Sequence, residues 1–197
     1  MTRMNRADYA AIAQWVPQDA RVLDLGCGDG ELLNFLRNER GATGYGVEIA
    51  ADNILACVKN GVNVIQMDLE SGLSGFQANS FDCVILSQTL QAVRKTELMV
   101  REMLRVGREA IVTFPNFGYW RHRMHVLRGH MPVSRDLPYQ WFDTPNVHLC
   151  TLADFEAFCG QLGVRILERM VLDDGQTINV LPNLRGSLAI YRVKAGK

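Results

Sequence analysis

Apolar residues come in short runs that alternate with segments of helical period. Residues 21–25, 44–49, 63–69, 81–87 and 108–116 are rich in Val, Ile and Leu and are bounded by Gly, Asn, Asp or Pro, which predicts strands. Between them, 31–40, 52–60 and 96–106 repeat apolar positions every three or four residues. Leu32, Leu33, Phe35 and Leu36 thereby share one helical face. An amphipathic stretch over 5–16, closed by Pro17, precedes the first strand. Gly41 is the expected stop of the second helix and Asp52 a candidate cap of the third. Strands alternating with helices at this spacing predict a doubly wound α/β sheet, mostly parallel, with right-handed crossovers and helices on both faces.

The end of the chain breaks this rhythm. Residues 151–163 read as a helix opened by a Thr151/Asp154 capping box. Two strands follow, Val-Arg-Ile-Leu-Glu-Arg-Met-Val-Leu and Ser-Leu-Ala-Ile-Tyr-Arg-Val, with no helix between them. They bring the total to seven strands and should pair antiparallel near the sheet edge. Residues 116–150 fit neither period. Following the fifth strand, they should hang as a lid over the strand ends of a single 1–197 unit.

Charge removes several function classes. Lys and Arg number 21, Asp and Glu also 21, so the net charge of zero argues against a general nucleic-acid binder. The apolar runs fall short of the roughly 20 residues of a membrane helix, and the opening Met-Thr-Arg-Met-Asn-Arg lacks the apolar core of a secretory leader. Five scattered cysteines without CxxC spacing read as reduced thiols of a cytoplasmic protein.

The chemistry concentrates at Val22–Gly30, Val-Leu-Asp-Leu-Gly-Cys-Gly-Asp-Gly. In doubly wound sheets, ligands bind beyond the carboxyl ends of the strands. A dinucleotide fingerprint would place its third glycine at position 31, which is Glu. Asp24, Asp29 and Glu31 would repel a pyrophosphate, and the turn has no Lys, Ser or Thr for a P-loop. The ligand should therefore be cationic or zwitterionic here. Glu48 closes the second strand, where an acid accepts from both hydroxyls of a ribose. Asp68 follows the third strand, where a carboxylate can accept from an adenine amino group. Adenine, a free ribose diol and a cationic centre without phosphate describe S-adenosyl-L-methionine (SAM), or S-adenosyl-L-homocysteine.

At these residues the chain resembles the class I SAM-dependent methyltransferases. Asp24, Gly26, Cys27, Gly28 and Gly30 match their first motif, Glu48 their ribose acid, Asp68 the adenine-side acid and 81–87 the fourth-strand motif. Ile49, Met67 and Leu69 would complete the cofactor-binding set. Ser87 and Gln88 would wall the methionine end, and Cys27 would contribute backbone and small bulk, not a nucleophile.

The segment 116–150 is rich in aromatic and basic residues, and its first acid is Asp136. A metal site from His122, His125 and His130 is disfavoured, since arginines flank them and no Cys or acid completes the set. A pocket for an anionic small molecule, a partner-docking surface and a simple packed lid all remain open. Neither the Pro-Pro-Tyr motif of exocyclic-amine methylation nor the Pro-Cys pair of cytosine C5 chemistry follows the fourth strand. Weak acid or base candidates are His148, Tyr119 and His122. The wording of 113–159, above all Trp141-Phe142-Asp143-Thr144-Pro145-Asn146-Val147-His148-Leu149-Cys150-Thr151, resembles the MetW family of methionine-biosynthesis proteins. That resemblance extends over about residues 5–193. It implies a SAM-binding protein encoded beside the homoserine O-acyltransferase MetX and acting with it. The alternative is a methyltransferase acting on a small anionic metabolite.

Overall fold

The computed structural model describes residues 6–196. The first helix, α1 (Arg6–Trp15), begins inside that range; the expected start at Asn5 and the reading of residues 1–5 lie outside the described residues. Strands β1 (Arg21–Leu25), β2 (Thr43–Glu48), β3 (Val64–Gln66), β4 (Phe81–Ser87), β5 (Gly107–Pro115), β6 (Val164–Asp173), β7 (Gln176–Thr177) and β8 (Leu188–Ala195) form one sheet. Their order is β3-β2-β1-β4-β5-β8-β6-β7. The first five are parallel; β8 runs antiparallel between β5 and β6.

The sheet is the expected Rossmann-like one, with one strand more than the seven predicted. The extra strand is β7, a two-residue return from β6. It forms because Asp174 and Gly175 both take positive φ, 47° and 80°, the twist of a tight two-residue hairpin turn. A short helix, α7 (Pro182–Arg185), then stands between β7 and β8 where none was expected.

Alternation along each strand builds two cores. Leu23, Leu25, Val84, Leu86, Val112 and Phe114 bury on one face, against α4 (Thr96–Val106) and α6 (Leu152–Leu162). Val22, Cys83, Ile85, Ile111 and Ile190 bury on the other, against α1 and α2 (Glu31–Arg40). Each fully buried Leu or Ile contributes roughly 1.5–3 kcal/mol, so a one-residue slip of β1 or β4 would be ruinous. Helix α2 ends at Gly41 with φ 64°, and α6 opens with the Thr151/Asp154 capping box.

Two local expectations change. Helix α3 (Ala51–Lys59) has Ala50 as its N-cap residue and no side-chain cap, so Asp52 lies inside its first turn; the Glu48 carboxylate accepts from the Ile49 and Ala50 N–H groups just before it. Strand β3 ends early, because Asp68 accepts from the Glu70 N–H at 2.9 Å and turns the chain into a short 3-10 segment, Leu69–Ser71. The lid segment holds one helix, α5 (Trp120–Leu127), followed by irregular chain.

Candidate functional site

Strand order reverses between β1 and β4: the chain steps outward from β1 to β2 and β3, then returns to the other side. Such a switch point leaves a crevice at the carboxyl ends. The glycine turn sits there. Gly26 and Cys27 both donate their N–H groups to the Val47 carbonyl, at 2.8 and 3.1 Å. Gly26, Gly28 and Gly30 have φ of 70°, 57° and 80°, a region that disfavours any side chain. A Cβ on Gly26 would lie 2.7 Å from Thr89 Oγ1, and one on Gly30 2.9 Å from a Val62 methyl. A Cβ on Gly28 would meet nothing within 4 Å. The room above Gly28 is open, which is what a backbone cradle for a ligand requires.

Glu48 organises this crevice. Its Oε2 accepts from the Gly28 N–H at 2.9 Å, and its Oε1 from the Ile49 and Ala50 N–H groups at 2.8 and 2.9 Å. The carboxylate thus locks the glycine turn to the start of α3. Beside it, Ile49 is 59% exposed, an apolar side chain open to solvent. The Met67 N–H donates to the Glu48 carbonyl at 3.0 Å, which brings 67–69 to the same edge.

Asp24 lies between Gly46 and Ile85 on the neighbouring strands. It is buried, and its Oδ1 has no hydrogen-bond partner among the described residues. Burial, and then the Glu48 charge, push its carboxyl up to about 7. An unmatched acceptor in the interior costs free energy unless a donor arrives. The Cys27 and Cys57 sulfurs lie 3.8 Å apart, and the Cys57 thiol donates to the Gly28 carbonyl at 3.1 Å. Burial pushes both thiols up, so neither is a nucleophile. A Cβ on Gly46 would run into the Cys27 sulfur.

Next to this crevice, under the lid, is a cavity of about 360 Å³. Asp8, Gln88, Tyr119, Arg121, Arg135 and Asp136 are among its lining residues. Gln88 holds a φ of 49°, uncommon for a residue with a side chain. It is fixed there by its N–H, which donates to Thr113 Oγ1 at 2.9 Å and to the Thr113 carbonyl at 3.0 Å, and by its amide, which reaches Asp8 Oδ2 at 3.3 Å. Ser87 Oγ stands 3.3 Å from Thr113 Oγ1. Burial, then the Asp136 charge, push the Asp8 carboxyl up to about 6, against a smaller lowering by Arg135.

The three acid or base candidates separate. Tyr119 lines the cavity and donates to Asp173 Oδ2 at 3.2 Å; burial first, then Asp173, raise its hydroxyl. His122 is a strut of the lid. Its Nδ1 lies 3.2 Å from the Asn116 carbonyl and must donate there, so its Nε2, 3.0 Å from Ser134 Oγ, accepts. Ser134 Oγ in turn accepts from the Leu137 N–H at 3.2 Å. Burial lowers the His122 pKa. His148 lines a different cavity, of about 670 Å³, with Leu90, Arg94, Leu98, Phe155 and Phe158, and its Nε2 is 3.2 Å from the Arg94 carbonyl. Among the described residues no three His, Cys, Asp or Glu side chains come together as a metal site.

Asp8, Thr113 and Asn116 escape the sequence reading. Asn116 is fully buried, donates to the Asn183 and Gly186 carbonyls at 3.0 and 2.8 Å, and accepts from the Gly118 N–H at 3.0 Å. The available signal was a polar residue closing a predicted strand, directly after Pro115. For Asp8 it was a carboxylate on the apolar side of an amphipathic helix.

The family model described as methionine biosynthesis protein MetW matches residues 6–193. A bifunctional methionine biosynthesis protein MetXA/MetW of Rhodopirellula baltica is 41% identical over 197 aligned residues, covering 93% of this chain and 32% of that protein. The chain thus spans about a third of the length of that curated relative. Among solved structures, a SAM-dependent methyltransferase of Archaeoglobus fulgidus superposes with a TM-score of 0.71 at 17% identity, covering 98% of this chain and 96% of that one. One from Mesorhizobium loti gives 0.69 at 17% identity, covering 95% and 97%. At that identity the likeness is one of fold.

Proposed function

The chain belongs to the MetW family, and we propose that it binds SAM or S-adenosylhomocysteine and raises the activity of a homoserine O-acyltransferase of the MetX kind. The observation that carries the partnership is the joining of MetXA and MetW in one protein of Rhodopirellula baltica. Residues 1–197 act in this reading as one unit, with 116–150 as its lid. No helix among the described residues is long and apolar enough to cross a membrane, in keeping with a cytoplasmic protein.

The crevice fits the ligand. The unpartnered Oδ1 of Asp24 offers an ammonium its missing acceptor, and the open space above Gly28 admits the methionine end against bare backbone. Glu48 retains one acceptor site, on Oε2, for a ribose hydroxyl, Ile49 gives an apolar face to the base, and Asp68 with Met67 and Leu69 borders the adenine side. Gly26, Cys27 and Gly30 shape the turn, and Ser87 and Gln88 close the opposite wall. When bound, SAM supplies an electrophilic methyl on a sulfonium.

The lid cavity beside Gln88 favours a second reading, methyl transfer to a small molecule. Its lining sets Asp8, Asp136, Asp173 and Asp174 against Arg121 and Arg135. An amine-bearing acceptor suits that balance better than the purely anionic one suggested by the basic lid sequence. Neither Tyr119, bonded to Asp173, nor His122, bonded at both nitrogens, is free to take a proton from it.

The deciding experiment is the rate of purified homoserine acyltransferase from the same cell, with and without this protein, as SAM is titrated. A rate that rises only when both proteins are present establishes the activator. No rise, together with turnover of SAM to S-adenosylhomocysteine on an added amine, establishes the methyltransferase.

A further inference from the structure

Helix α5 buries a single side chain, His122. Trp120 is 46%, Met124 37% and Leu127 78% exposed. Their spacing of four and three residues puts them on one stripe. An eight-residue helix does not persist in water on propensity alone, and this one has neither an acid in its first turn nor a side-chain cap. Its inner side is held by His122; its apolar stripe faces solvent. Elsewhere in the lid, exposed Met131 and Trp141 line a small cleft with Phe117 and Leu149. Exposed apolar surface gathered on one face of a helix marks interaction sites.

The helix and its C-cap carry charge of one sign: residues 120–128 contain Arg121, Arg123 and Arg128 and no carboxylate, whereas Arg135 farther along pairs with Asp174 at 3.4 Å. Arg121 stacks on Trp120, its guanidinium carbon 5.5 Å from the ring centre. Trp and Arg together are the residue types that dominate binding energy at protein interfaces.

We infer that the Trp120–Met124–Leu127 face of α5 seats the acyltransferase partner, through an apolar patch rimmed by carboxylates on that partner. The inference rests on the partnership proposed above and assigns it a surface. Two observations choose this occupant. The Rhodopirellula baltica relative carries its MetXA and MetW parts on one chain, which gives the kind of partner. Arg123 of α5 and Arg128 at its C-cap, which form no ion pair among the described residues, call for an acidic rim and would repel a second basic lid.

The test measures binding of the full chain to the acyltransferase by titration calorimetry, for the wild type and for Trp120→Ala, Leu127→Asp and Arg128→Glu. Val58→Ser, on the exposed side of α3 (65% exposed), is the control for loss of any apolar surface. Melting curves and SAM affinity verify that each variant folds. Trp120→Ala and Leu127→Asp should weaken the complex roughly tenfold or more, Arg128→Glu should reduce its salt dependence, and Val58→Ser should leave it unchanged. If the wild type binds and the α5 variants bind equally well, the docking face is wrong and the partnership stands. If the control weakens binding as much as the α5 variants, the contact is unspecific and the inference also falls. A wild type that forms no complex overturns the partnership itself, and this surface with it.

Discussion

Replacing Asp24 by Asn should stabilise the ligand-free protein while weakening its hold on SAM. Asp24 is 2% exposed, lacks a partner at Oδ1, and has its carboxyl raised from 3.8 to about 7. The folded protein therefore holds this proton more tightly than the unfolded chain. Below 3.8 both states are protonated and nothing is lost. Stability falls as pH rises through the interval, and the loss is complete above about 7. A shift of about three units at 1.36 kcal/mol each sets a ceiling of about 4 kcal/mol. Local relaxation could halve it, and about 2 kcal/mol still moves the melting point of a chain this size by about 4–8 °C. The assay is thermal unfolding of both proteins, ligand-free, at about pH 5 and about pH 8. The Asn variant should gain more at the higher pH. Its SAM affinity should drop about ten- to hundredfold, the worth of a hydrogen bond to a charged group. An advantage independent of pH, or none, would refute the uncompensated charge. A stability gain with unchanged SAM affinity would remove Asp24 from the binding site.

Glu48→Ala leaves the Gly28, Ile49 and Ala50 N–H groups without their acceptor; SAM affinity should fall by about 1.5–3 kcal/mol in calorimetry, and an unchanged affinity in a folded variant would contradict the ribose placement. Gly28→Val meets no protein atom near its Cβ, so melting should drop only by the left-handed backbone penalty of about 1–2 kcal/mol while SAM binding disappears; normal binding would sink the cradle. Asn116→Ala removes both donors and the acceptor at the root of the lid, which should cost about 1–3 kcal/mol and expose 116–150 to limited proteolysis; an unaltered digestion pattern would show that the lid is anchored elsewhere. His122 is held neutral by burial, so its contribution is complete above 6.5 and is lost as pH falls below that value. His122→Ala, destabilised overall, should show a flatter melting curve against pH between about 5 and 7; an unchanged slope would deny it that role.

The alternating elements were legible because burial writes their period into the sequence. β1, β4, α2, α4 and α6 fall within a residue or two of their expected places, and each has one face against a core. The misreadings share a cause: short polar contacts override apolar pattern. Asp68 ends β3 by capping a turn, and Asp174-Gly175 makes a hairpin inside what read as a plain connection. Helix α5 was invisible because its apolar side is not buried, so the usual inside-outside contrast is missing. The positions of Glu48 and Asp24 could be read as acids at strand ends. That Glu48 binds three backbone N–H groups could not, because this depends on the path of the chain out of β2. The sequence shows Asp8 only as a carboxylate on the apolar side of a helix; the lid folding over α1 makes it a cavity residue.

The lid brings the two proposed roles within one turn of helix. Tyr119, the residue capping α5, faces the cavity and bonds Asp173, whereas Trp120, the next residue, faces solvent. Arg121 lines the cavity and also stacks on both rings. His122 fixes the helix to Asn116 behind it and to Ser134 across the lid, so the inner and outer residues of this turn are parts of one rigid element. A ligand that shifts the backbone at Tyr119 or Arg121 shifts Trp120 with it, because the three are consecutive residues at the start of one helix. Linkage then requires reciprocity: whatever factor a partner on the outer face adds to ligand affinity, the ligand adds to partner affinity. A helix left bare on one side and bonded on the other suits that exchange better than one buried on both.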